Sequence, residues 1–145
     1  MTRERANGVG RITVEFQVAN ADDLVRVRDG TLSADKVPRQ TIRGVVDSGA
    51  AKLVLPQGVV KQLGLPPGND FHVHYADGRT ARRRQAGAAR VEILGRHDTF
   101  SAIVEPRRQT ALIGAMVLEG LDLLVDCQNQ RLIPRDPKGP VYEIE

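Results

Sequence analysis

"GVVDSGAAKLVLP", residues 44–56, is the stretch on which the fold turns. An apolar, β-type run ends on Asp47, and Ser48, Gly49 and Ala50 follow before a second apolar piece at 53–56. Asp, Ser and Gly all favour turns, so the bland reading of Asp47 is a capped surface turn. The alternative is chemistry. Small residues then clear space around a carboxylate at the rim of a core, with Gly49 free to take backbone angles closed to other residues. The company this stretch keeps has to decide.

Upstream, RITVEFQV (11–18) alternates with period two and places Ile12, Val14, Phe16 and Val18 on one face of a strand. RQTIRGVV (39–46) predicts a second strand that runs straight into Asp47. Between them, 19–38 is polar and punctuated by Asp-Gly and proline, a connection with room for one short helical or extended piece. Downstream, PQGVVKQLGL (56–65) has helical spacing, with Pro56 ahead of it and Gly64 as a stop. Asp77-Gly78 between two extended runs signals a hairpin. AARVEIL (88–94), DTFSAIVEP (98–106), TALIG (110–114), LLVDC (123–127) and RLIP (131–134) predict further strands, and AMVLEGLD (115–122) a second short helix. Many short strands, two short helices and frequent turns make a mainly β domain, closer to a barrel or sandwich than to an α/β sheet.

The chain's 145 residues fit one domain, with enough surface to bury for a single core without staples. The one cysteine, Cys127, precludes an internal disulfide and fits a reducing compartment. It follows a strand with no motif around it and reads as a buried, inert thiol. The first residues hold no apolar stretch suited to a signal peptide, and ALIGAMVL (111–118) is far shorter than the ~20 residues of a membrane helix. A soluble, cytoplasmic protein is the expectation. A net charge of +3 and a pI near 9.4 invite a nucleic-acid reading. The basic residues are scattered among 18 acids, however, and cluster only at ARRR (81–84). Three Phe and two Tyr give no base-stacking platform, so ARRR reads as the solvated side of a hairpin strand. HVH puts His72 and His74 on one strand face with His97 as a conceivable third zinc ligand, but no His-Glu-x-x-His motif or thiolate pair accompanies them. No metal is expected. Asp122 and Asp126 flank an apolar triplet and read as turn and cap residues.

The ordered set of Asp47-Ser48-Gly49-Ala50, LVLP, and much later ALIG, a short helix and LLVD resembles the retropepsin-like aspartic proteases. These are single-domain relatives of pepsin that include retroviral proteases and bacterial homologues. The likeness spans about residues 10–134 and is sharpest at 44–56 and 111–127. It implies a closed acid-protease-like barrel with one short helix near the C-terminus. Residues 1–145 would form a single domain, with 1–9 and 135–145 as terminal segments. By the same resemblance Asp47 is the catalytic aspartate, and the Ser48 hydroxyl braces the catalytic loops across a dimer. LIG (112–114) would thread behind the active loop, with Gly114 small enough for that approach. The hairpin HYADGRT (74–80) would be the flap. Ser48, Gly49, Ala50, Ala51, Tyr75, Ala76, Asp77 and Gly78 would contact substrate, with Tyr75 hydrogen-bonding over the cleft. Two departures stand out. Ala51 and Ala115 occupy places where retroviral members carry a paired acid and arginine, and the flap tip holds Asp77 and Arg79 in place of a glycine-rich turn.

Peptide hydrolysis by this route needs two carboxylates sharing one proton. At about 3 Å apart both cannot ionise, so their titrations split and the apparent values belong to the pair. One Asp-Ser-Gly per chain then implies a homodimer with Asp47 of each subunit on the two-fold axis. The expected partner is a polypeptide substrate, with no cofactor, metal, nucleic acid or membrane. Activity should be weak or shifted to acid, because the dyad must keep its proton. The tail RDPKGPVYEIE (135–145) is a candidate strand at the subunit interface. The alternative is a catalytically silent module of the same fold that binds peptides or dimerises.

Overall fold

Period-two alternation in the first strand survives intact: Ile12, Phe16 and Val18 are buried while Thr13, Glu15 and Gln17 are exposed. The structure, a computed structural model, describes residues 11–145, and what the sequence suggested for 1–9 lies outside them. The first half of the described chain comprises β1 (Ile12–Asn20), α1 (Ala21–Arg28), a single 3-10 turn at Ala34–Lys36, β2 (Arg39–Val46), β3 (Leu53–Pro56) and α2 (Gln57–Leu63). The second comprises β4 (Pro67–His74), β5 (Thr80–Ile93), β6 (Arg96–Glu105), β7 (Ala111–Ile113), α3 (Ala115–Leu121), β8 (Leu123–Asp126) and β9 (Arg131–Pro134).

β1 and β2 pair antiparallel from Ile12↔Val46 to Ala19↔Arg39. β2 runs parallel to β7, which meets β3 at Val54↔Leu112. β3 runs parallel to β6, and β6 antiparallel to β5. The C-terminal half of β5 then returns to β1, from Gln17↔Glu92 to Asn20↔Ala89. Six strands thus close in the order β1-β2-β7-β3-β6-β5, the mainly β barrel that the sequence implied. Closure leaves no open edge within the ring. β4 stands outside it, zipped only to the N-terminal half of β5, while β8 and β9 form a separate two-stranded ribbon.

The core is one contiguous cluster. Val18, Leu53, Leu55, Val91, Ile93 and Ile113 come from the strands, and Leu63, Val117 and Leu121 from α2 and α3, each essentially without solvent contact. Burying side chains of this size stabilises by about 1.5–3 kcal/mol apiece relative to exposure. α2 ends on Gly64 in the left-handed region, as the sequence stop signal required.

Three expectations need correction. The polar stretch 19–38 holds a two-turn helix, so the described residues contain three α-helices, not two. None of the residues of α1 is buried; the helix is held by the buried Asn20. That side chain accepts from the Asp22 and Asp23 amides and donates to the Leu63 and Gly64 carbonyls, joining α1 to the end of α2. Cys127 is exposed, because β8 stops at Asp126 and the thiol falls in the following turn. ARRR is not uniformly solvated: Arg82 and Arg84 face outward, whereas Arg83 turns inward, as alternation along a strand dictates. Within the chain the tail forms no strand, and folds back on the end of α3. There Arg135 donates to Asp122 at 2.7 Å, the Val141 amide to the other Asp122 oxygen at 2.9 Å, and the Tyr142 hydroxyl to the Gly120 carbonyl at 2.5 Å.

Candidate active site

β2 delivers Asp47 to its position by ending one residue earlier, at Val46, which lies opposite Ile113 of β7. The Asp47 amide donates to the Ile113 carbonyl at 3.0 Å, fixing the first residue of the loop to the barrel. The chain then turns, with the Ala50 amide donating to the Asp47 carbonyl at 3.1 Å. The Asp47 carboxylate is exposed and accepts from the Gly49 amide at 3.0 Å. Local sequence dictates this arrangement, since an aspartate two residues ahead of a glycine amide closes an Asx-turn.

The loop is clamped from behind. The Ala115 and Met116 amides donate to the Ala50 and Ala51 carbonyls at 2.7 and 2.9 Å. Gly114 passes so close that a Cβ there would lie 2.5 Å from the Lys52 carbonyl oxygen and 2.8 Å from that of Ala50. Only glycine fits this crossing. Loop and clamp come from stretches more than sixty residues apart, and β7 with the start of α3 brings them together.

In front of the loop lies a cleft of about 690 Å³. Asp47, Gly49, Ala50 and Ala51 form its floor, and Tyr75 and Ala76 of the hairpin overhang it. Ser48 is exposed on the loop outside the lining, and Asp77 and Gly78 sit at the exposed hairpin tip, away from it. The hairpin turn closes with Gly78 at φ +90°, and Asp77 ties itself to Arg79 through that residue's amide and guanidinium. Arg79's amide hydrogen bond, then its side chain, hold the Asp77 carboxyl below the usual aspartate range.

Sequence reasoning missed the cleft's other walls. Phe71 and Val73 alternate inward on β4, Ile103 and Glu105 reach in from β6, and Lys52 and Arg108 complete the rim. The inward face of β4 was readable from its period; Glu105 had no local signal. Its two oxygens accept from the Tyr75 hydroxyl at 2.5 Å and from Arg83 Nε at 2.9 Å. Tyr75 therefore bonds to the cleft wall, and burial first, with Glu105 second, pushes its phenol above the usual tyrosine value. The hydrogen bond that Arg83 donates to Glu105 likewise raises the guanidinium above its usual value. His72 and His74 are exposed and border the same cleft, and no group of side chains among the described residues has the makings of a metal site. Nor is any described helix long and apolar enough to cross a membrane. Asp122 and Asp126 cap turns: Asp122 ends α3, and Asp126 accepts from the Asn129 amide.

No curated protein matches the chain in sequence. Among solved structures, the chain is similar to the EIAV protease complexed with the inhibitor HBY-793, at 18% identity and a TM-score of 0.45, over 56% of this chain and 77% of that one. The family described as "gag-polyprotein putative aspartyl protease" matches residues 35–120, more than half of the chain, from the turn before β2 to the end of α3. That span contains the Asp47 loop, the hairpin and the Gly114 crossing, and the chain belongs to this aspartyl protease family.

Proposed function

We propose that the protein is an aspartic endopeptidase that works as a homodimer, with Asp47 of each subunit forming the catalytic dyad. One observation carries the reading. Of the two carboxylates that line the cleft, Glu105 has both oxygens engaged by Tyr75 and Arg83, and only Asp47 is free of any cation among the described residues. A single chain thus offers one reactive carboxylate where the chemistry needs two, and a symmetric partner is the simplest source of the second.

In the dimer the two Asp47 carboxylates share one proton. The ionised one takes a proton from a water as its oxygen attacks the scissile carbonyl carbon. The protonated one gives its proton to the carbonyl oxygen. Return of a proton to the amide nitrogen breaks the C–N bond and releases amine and acid. Clamping the loop by Gly114, Ala115 and Met116 fits this role, because reacting groups must be held in place before the substrate arrives.

The test is cleavage of an unfolded polypeptide from about pH 3 to about pH 7 by the wild type and Asp47→Asn, with sedimentation of both. The expected result is a dimer whose activity, greatest in acid, falls about a thousandfold on substitution. Cleavage that survives Asp47→Asn, or an active species that sediments as a monomer, overturns the proposal. A wild type that dimerises and binds peptides without cutting them supports the silent module in its place.

A further inference from the structure

Lys52 follows the active loop directly, and its ammonium is held by neutral groups: the Ser101 hydroxyl at 3.5 Å and the face of the Phe71 ring, 5.4 Å from its centroid. Arg108, half-buried at the same cleft, donates Nε to the Thr110 carbonyl at 2.8 Å. Neither forms an ion pair among the described residues. Glu105 cannot neutralise them, being engaged already by Arg83 and Tyr75. A partly buried cation with neutral partners keeps an unmet demand for an anion, and a carboxylate that meets it makes a bond about twice as strong as a neutral one. The outer face of the hairpin is basic as well, since Arg82 and Arg84 share the single Asp70 carboxylate at 3.5 and 3.6 Å. Such a surface draws anionic chains toward the cleft.

We infer that the cleft selects polypeptides with acidic side chains near the cleaved bond, and that Lys52 and Arg108 are the specificity-determining residues that read them. This rests on the peptidase reading above and names its substrate class. The two cations are held by different elements, Lys52 against Ser101 of β6 and Phe71 of β4 and Arg108 at the Thr110 carbonyl just ahead of β7, so on this inference they read different substrate positions.

The experiment is a set of peptides identical except at one position, which carries Glu, Gln or Lys in turn, cleaved by the wild type at low ionic strength and at about pH 6, where the Glu side chain is ionised. At the position beside Lys52, Glu should exceed Lys in kcat/KM by about tenfold, and the ratio should shrink as salt rises. Lys52→Glu should invert the Glu-to-Lys ratio there and Lys52→Met should level it, while Arg108→Gln should level the ratio at a different position. A wild type that cuts Glu, Gln and Lys peptides equally at every position overturns the inference and leaves the peptidase reading standing. Binding of the same peptides to Asp47→Asn separates the two. Tighter binding of Glu peptides, with no cleavage by the wild type, supports the acid-reading cleft and defeats the peptidase. Equal binding of all three defeats the cleft's selectivity whatever the cleavage result.

Discussion

The Ala115 amide donates to the Ala50 carbonyl at 2.7 Å, so the helix that follows the barrel's shortest strand holds the loop carrying Asp47. The bond exists because the residue before Ala115 is Gly114, whose missing side chain lets two chain segments cross almost in contact. Loop position is therefore a property of the crossing and not of the loop's own sequence.

It follows that Gly114→Ala should be far more harmful than its size suggests. The added carbon would meet backbone oxygens of Lys52 and Ala50, which cannot step aside as a flexible side chain can. Overpacking of this kind costs about 3 kcal/mol. Denaturant unfolding should show that loss, and activity under conditions where the variant is still folded should fall with it. An unfolding midpoint equal to that of the wild type would show that the crossing is looser than described.

A second prediction concerns the hairpin. Tyr75 and Arg83 both bind Glu105, joining the overhanging hairpin to β6. Glu105→Gln removes the charge that helps hold the Tyr75 phenol in its protonated form, so that phenol should titrate at lower pH than in the wild type. Tyr75→Phe should free the hairpin at a local cost of about 1 kcal/mol, seen as faster amide hydrogen exchange at residues 72–82. Unchanged exchange in both variants would mean that the hairpin is held by its strand pairing alone.

A third prediction is a pH dependence. The guanidinium of Arg135, and after it the Val141 amide, hold the Asp122 carboxyl below the usual aspartate range. A group depressed on folding stabilises fully above its unfolded value and loses that contribution as pH falls through its folded one. The tail's attachment should therefore persist at neutral pH and release only in acid, below the ordinary aspartate range. An NMR titration of Asp122, with exchange of the Val141 amide followed in parallel, measures this. Asp122→Asn should loosen the tail at every pH. A titration midpoint at the ordinary aspartate value would refute the assignment.

The ring of strands was legible because alternation is local: Ile12, Phe16 and Val18 announce their own face, and Asp77-Gly78 announces its own turn. The turn at the floor of the cleft was legible for a similar reason, since the Gly49 and Ala50 amides both donate to Asp47 itself. What escaped depends on partners remote in the chain. α1 carries a readable start in Asn20 and two following aspartates, yet its place is set by carbonyls at Leu63 and Gly64. Arg83 sits between two solvated arginines, and nothing nearby says that Glu105, on another strand, will receive it. The exposure of Cys127 turned on where β8 stops, a boundary that the apolar run does not mark.

β5 is a single strand of fourteen residues that serves as a stave of the barrel at one end and as an arm of the overhanging hairpin at the other. An arm continuous with a stave cannot swing on a loop like a door. Any opening movement has to bend the strand where its pairing with β6 slips, between Ala86 and Ala89. Stiffening or softening that short interval would set how readily the hairpin lifts from the cleft, without touching a single group that lines it.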